Sequence, residues 1–424
     1  MTDLEAKNWE PPKVEKLVLK NGAQLFLLPD RTLPLFKASV FFKVGSAYEE
    51  TKKTGLADLT ASLLVRGGTK NKTPDQLDAY LDARALVLSE DVSKELTTIS
   101  VEALGPQYEK TLHLLQEVLL SPRWDEEKLQ FIKRQIDEGL RRDKDQPFAV
   151  LSKAFREEIY GNKHPWGRHV TKQSIKKIKK EEIISFYETY FQPSRMTITV
   201  AGDFSSIKVK EWFEETFGPL SVHEVAEPQW EVLPLERKPK TKSIRMKQLT
   251  QVFIEAGHLG PLRSSEDVYP YELLQSVLGG DPFTSRLGKD IRVQQGLAYS
   301  VGSSWDKSPV RGVFSIDVQT RQDAAEKVLE RIRYHLGALR AEGGVTAEEL
   351  QRAKEEVLNQ YIFWFDSPFK IVNTLARLEM LGYPKDYLRD YPQKIKNVSL
   401  EEITAIAKQY ILPEQLTIVT VGPK

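Results

Sequence analysis

The sequence predicts an α+β protein made of two homologous domains in tandem, each a sheet covered by helices. Three observations carry this expectation. Residues 179–204, KKEEIISFYETYFQPSRMTITVAGDF, superpose on residues 399–424, SLEEITAIAKQYILPEQLTIVTVGPK, at a constant offset of 220 without a gap. Each copy runs from an acidic helix start through a proline stop into an apolar strand. Between the copies, residues 219–242 are rich in Pro, Glu and Lys and show no sustained period, as a linker would. The domains are therefore set at 1–218 and 243–424. A period this long is a duplicated domain, because solenoid units are about 20–50 residues.

The elements follow in order. KLVLKNGAQLFLLPD (16–30) reads as two strands around an Asn-Gly turn, and KASVFFKVGSA as a third strand. Farther on, DEEKLQFIKR from Asp125 matches TAEELQRAKE from Thr346 more weakly, at an offset of 221. Ile183, Ile184, Tyr187, Tyr190 and Phe191 recur at helical spacing. MTITVAG then alternates as a strand, with Met196, Ile198 and Val200 on one side. In the second half SRLGKDIRVQQG reads as a short helix stopped by Gly296, and Leu297, Tyr299 and Val301 alternate into a strand. HPWGRH (164–169) is a turn, IKKIKKEE (175–182) a solvated basic turn, and the aromatics of YIFWFDSPF (361–369) are assigned mainly to the core.

Composition excludes several function classes. Hydrophobic residues make up 40% and charged residues 29%, as in soluble globular proteins, and the formal charge of +1 gives no electrostatic case for nucleic acid or an acidic membrane. No apolar run approaches the ~20 residues that cross a bilayer. The start, MTDLEAKNWEPPKVEK, lacks the apolar centre of a signal peptide, which leaves the compartment open between cytoplasm and, for a chain whose leader was trimmed, periplasm. With no cysteine, thiolate metal sites, disulfides and cysteine nucleophiles are excluded. The six histidines form no i, i+4 pair, and there is no G-x-S-x-G elbow, Walker loop or Rossmann fingerprint.

Residues 54–69, TGLADLTASLLVRGGT, resemble the active-site helix of the insulinase/pitrilysin family of zinc metallopeptidases, G-x-A-H-F-L-E-H-M-L-F-x-G-T. The framing residues Gly55, Ala57, Leu63, Leu64, Gly68 and Thr69 are kept. The chemistry is not. Asp58 stands at the first zinc histidine, Ala61 at the general base and Ser62 at the second histidine. An H-x-x-E-H helix needs two imidazoles four residues apart on one face and a glutamate to deprotonate the metal-bound water. The third-ligand position implied by the resemblance falls on Glu138, 76 residues after Ser62. Asp58 and Glu138 make two oxygen ligands at best, so no zinc is expected in this chain, and Glu138 reads as a surface helix carboxylate.

The resemblance extends over essentially the whole chain and points to the processing-peptidase branch, whose members contain two α/β-roll repeats related by pseudo-twofold symmetry. Its C-terminal pattern R-x-x-x-G-L-x-Y is intact here as Arg292, Gly296, Leu297 and Tyr299. By spacing alone Arg292 reads as a solvated helix charge and Tyr299 as a strand-core aromatic. The resemblance instead implies that both reach a peptide, a guanidinium fork and a phenol favouring a developing oxyanion. Gly279 and Gly280 permit a tight backbone path, and Arg286 is structural. Together these features imply the non-catalytic subunit of a two-chain peptidase. Arg292 and Tyr299 would act in trans on an unfolded peptide bound at the zinc of an H-x-x-E-H partner. Two other expectations stand beside it: a structural subunit like those of the respiratory cytochrome bc complex, and a stand-alone peptide-binding module. A neighbouring gene for an intact H-x-x-E-H chain would separate the first from both.

Overall fold

A computed structural model describes residues 13–423. The first half of the chain runs β1 (Glu15–Val18), β2 (Gln24–Pro29), β3 (Leu35–Phe42), α1 (Leu56–Arg66), α2 (Pro74–Asp82), β4 (Val87–Val92), β5 (Thr97–Leu104), α3 (Tyr108–Leu120), α4 (Glu126–Asp143), α5 (Pro147–Tyr160), α6 (Lys172–Lys177), α7 (Lys180–Tyr190), β6 (Met196–Gly202) and α8 (Ser206–Thr216). The second runs β7 (Lys240–Arg245), β8 (Gln251–Leu259), α9 (Val268–Gly279), a π-helix (Gly288–Gln294), β9 (Ala298–Trp305), β10 (Val313–Arg321), α10 (Ala325–Arg340), α11 (Ala347–Ile362), α12 (Pro368–Met380), α13 (Tyr387–Asn397), α14 (Leu400–Tyr410) and β11 (Thr417–Gly422). Among the described residues no helix is long and apolar enough to cross a membrane.

Two mixed sheets result, ordered β1-β2-β6-β3-β5-β4 and β7-β11-β8-β10-β9. In the first, β2 and β6 are parallel and every other pair is antiparallel. In the second, β7 and β11 are parallel and the rest antiparallel. Apart from β1, the two orders are the same, so the duplication read from 179–204 and 399–424 is a duplication of topology. The returning strand of each repeat is inserted inside its sheet, β6 between β2 and β3 and β11 between β7 and β8.

Two compact units contain these sheets, and neither is contiguous. The first gathers residues 1–140, 169–228 and 363–389; the second gathers 141–168, 229–362 and 390–424. In the first unit one sheet face is apolar, carrying Leu25, Leu27, Val40, Ile99, Val101, Ile198 and Val200, all buried. Its opposite face is more polar, with Ser39 bonded to Ser100 at 2.6 Å, and is covered by α12 from the second half of the chain. Val372 and Ala376 of α12 pack on Phe26, Phe41 and Ala201. This explains why MTITVAG is buried along its length and does not alternate: β6 lies in mid-sheet with helices over both faces. In the second unit the polar face is likewise covered by one borrowed helix, α5, whose Phe148 meets Phe253 of β8 edge-on at 4.8 Å.

Three other expectations are corrected. In YIFWFDSPF, Ile362 and Phe363 are exposed, Phe363 by 67%, because the chain turns there from α11 to α12 through a single 3-10 turn. IKKIKKEE is mostly helical, spanning the end of α6 and the start of α7, although Lys176 and Lys177 are solvated as expected. Tyr299 does not alternate inward with Leu297 and Val301, for a reason that lies in the pairing of β9.

Candidate functional site

The altered helix α1 begins at Gly55, whose φ of +103° a side chain would strain and whose added Cβ would lie 2.6 Å from Ile175. Its first turn is capped from outside. The buried Glu49 carboxylate accepts from the Gly55 N–H at 3.1 Å and the Ala57 N–H at 2.8 Å, placing negative charge at the helix N-terminus. Asp58 and Ser62 lie one turn apart, and Ala61 is fully buried. The Ser62 hydroxyl donates to Glu90 of β4 at 2.7 Å. Burial pushes the Asp58 carboxyl above the usual carboxylate range; Asp91 and Glu90 add to this, against a backbone hydrogen bond and Lys94. Glu138 is exposed on α4.

This donor set does not fit a zinc ion. It has one carboxyl, a hydroxyl already given to Glu90, and no base at position 61. Among the described residues no group of three or more His, Asp or Glu side chains is placed to hold a metal. Glu49 and Glu90 were missed in the sequence, since both lie outside the helix motif and neither is linked to it by any periodic spacing.

The Arg/Tyr pattern occupies an irregular part of the second unit. Arg292 sits on the π-helix, a form that recurs at functional sites, and Gly296 ends this stretch with a φ of +59°. The Arg292 guanidinium lies 4.4 Å from the centre of the Phe283 ring, a cation–π contact on an exposed aromatic. Among the described residues it has no ion-pair partner. Phe283 carried no signal in the sequence beyond its place in GGDPF.

Tyr299 lies on β9, the edge strand of the second sheet. Ser300 pairs with Gln319 and Ala298 with Thr320, so Tyr299 is the extra residue of a β-bulge. The bulge leaves Tyr299 and Ser300 both exposed between buried Ala298 and Val301. Tyr299 is 73% exposed, so the strand-core assignment is wrong. Beyond it, α9 approaches β9 closely: Gln275 donates to the Ser303 carbonyl at 2.6 Å, and the Ser303 hydroxyl donates to the Gln275 carbonyl at 3.1 Å. Arg286 is structural as expected, bonding Glu349 at 2.7 and 2.6 Å.

Two like sheet-and-helix units, the first with a peptidase helix stripped of its ligands, define a metallopeptidase-type scaffold. The family model "Insulinase (Peptidase family M16)" matches residues 29–172, and "Peptidase M16 inactive domain" matches residues 177–357. The chain belongs to peptidase family M16. It is 23% identical to "Uncharacterized zinc protease YmxG" of Bacillus subtilis, over 97% of this chain and 98% of that one. It is 26% identical to "Non-peptidase homolog YmxG" of Helicobacter pylori, over 92% of this chain and 90% of that one. A crystal structure of a peptidase M16 inactive domain from Pseudomonas fluorescens shares the fold, with a TM-score of 0.85, 24% identity and coverage of 97% and 98%.

Proposed function

We propose that this chain is the non-catalytic, substrate-binding subunit of a two-chain M16 peptidase. Its partner carries H-x-x-E-H and the zinc, and this chain supplies Arg292 and Tyr299 to an unfolded peptide held there. The observation that carries the reading is Tyr299, a tyrosine that a bulge turns out of its sheet and leaves 73% exposed. On an edge strand it offers a phenol donor and a ring face to an extended peptide. Arg292 supports the same use, since its charge is paired with no carboxylate among the described residues. The altered helix argues for a division of labour, because Ala61 can accept no proton and Asp58 with Ser62 cannot replace two imidazoles. The name of the Helicobacter pylori relative, a non-peptidase homologue, agrees with loss of activity in cis.

The test is cleavage of an unfolded peptide by this chain, by an H-x-x-E-H homologue and by their equimolar mixture, with zinc counted in each. Activity is expected in the mixture alone and zinc in the homologue alone. The double variant Arg292→Ala, Tyr299→Phe should lower the mixture's rate by at least about 10²-fold, the scale of one lost oxyanion donor, while the complex still elutes intact. Full activity from that variant, or cleavage by this chain alone, would sink the proposal. A stable but silent wild-type complex would favour the structural-subunit alternative.

A further inference from the structure

We propose that Asp290 is a positioning residue for the Arg292–Tyr299 pair, fixing the π-helix to α10 through Arg331 and His335; this rests on the reading of that pair given above. Among the described residues Arg292 has no anchor beyond the exposed Phe283 ring, so its direction is set by its backbone. That backbone is tied two residues earlier. One oxygen of the buried Asp290 carboxylate accepts from Arg331 Nε and from His335 Nε2, each at 2.7 Å. The other accepts from Gln295 Nε2 at 2.7 Å, and the Asp290 carbonyl accepts from the Gln295 N–H at 3.0 Å. Arg331 and His335 stand four residues apart on α10, so both reach the same side of that helix. A single carboxylate therefore closes the π-turn and joins it to a neighbouring helix.

The tie continues to the tyrosine without slack. The Leu297 N–H donates to the Ile291 carbonyl at 2.9 Å, and the buried Thr320 hydroxyl donates to the Leu297 carbonyl at 2.6 Å, which brings the chain onto β10 two residues before the bulge. The charge on Asp290 is kept by its partners. Burial works against ionisation, but the bonds from Gln295, His335 and Arg331 outweigh it and hold the carboxyl below its ordinary range.

The full-length protein labelled with 3-fluorotyrosine gives the test, the Tyr299 signal being assigned by its absence in Tyr299→Phe. Asp290→Ala is expected to shift or broaden that signal while the core signals of Tyr271 and Tyr391 stay in place. Asp290→Asn, which still accepts from Arg331 and His335, is expected to keep the wild-type position. An unmoved Tyr299 signal in folded Asp290→Ala overturns the inference. If that variant does not fold, Arg331→Ala carries the same test with the same two outcomes. In the mixture with an H-x-x-E-H homologue, Asp290→Ala should lower kcat by about 10²-fold, as misplacement of a reacting group by about 1 Å does, with KM held. Silence of the wild-type mixture overturns the reading of the pair and leaves the fluorine signal to decide the role of Asp290.

Discussion

At the scale of single residues, the site depends on side chains that are missing as much as on those present. Gly279 ends α9 against β9, and a Cβ there would lie 2.6 Å from the Ser303 nitrogen and 2.7 Å from its hydroxyl. The hydroxyl is held by its bond to the Gln275 carbonyl and the nitrogen belongs to the β9 backbone paired with β10, so neither moves aside without disturbing those contacts. Gly279→Ala should then cost about 1–3 kcal/mol, the range of an overpacked contact, read as a lower urea midpoint with an unchanged slope. An unshifted midpoint would show that β9 and α9 separate freely. The requirement was half legible in the sequence: GGDPF announces a tight path, but only the pairing of β9 names what lies opposite. Tyr299 shows the same boundary more sharply. Its membership in R-x-x-x-G-L-x-Y could be read from spacing, whereas its direction could not. A bulge belongs to the register between two strands, and one inserted residue reverses the face that alternation assigns.

At the scale of elements, α5 lies over a polar sheet face and covers an acidic pair. Glu255 of β8 and Asp317 of β10 are direct cross-strand partners, and Arg156 of α5 meets Asp306 at 3.1 Å beside them. Burial, with Glu255 only 7% exposed, pushes its carboxyl up to about 8; Asp317 adds to this, against Arg156, and Asp306 adds a little more. Burial raises Asp317 too, against Ser315 and Arg156. Folded Glu255 thus holds its proton more tightly than the unfolded chain does. The stability linked to it is fully present below the ordinary carboxylate range and is lost as pH rises through about 8. The unfolding free energy should fall between about pH 5 and 9 by an amount on the order of a few kcal/mol. Glu255→Gln should flatten that slope and be the more stable form at the alkaline end. A wild-type denaturant midpoint that is level across the window would refute the assignment. The closing helix and strand of this unit, α14 and β11, were legible because their periods are local. The acidic pair was not, since Glu255 and Asp317 meet only through a register spanning two strands.

At the scale of the whole molecule, the duplication is plain in the sequence and the exchange of helices is not. A helix with one apolar stripe shows that it covers something, not which sheet it covers. The repeat at 179–204 and 399–424 therefore marks two halves, whereas the compact units take α5 from the first half and α12 from the second. The consequence can be tested by cutting the chain at the unit boundary between Pro228 and Gln229. Fragment 1–228 contains every strand of the first sheet but lacks α12. It leaves Phe26, Phe41 and Ala201 without the Val372 and Ala376 that bury them, and Thr199 without its bond to Asn373. An uncovered apolar strip on a six-stranded sheet invites association, so this fragment alone should aggregate or melt without a cooperative transition. Co-expression with 229–424 should restore one cooperative transition, and adding residues 363–389 to 1–228 should restore most of it. Cooperative unfolding of 1–228 alone, at the denaturant midpoint of the intact chain, would mean that α12 is dispensable to the sheet it covers. The opposite result would explain why a duplicated chain stays one protein: each half completes the core of the other.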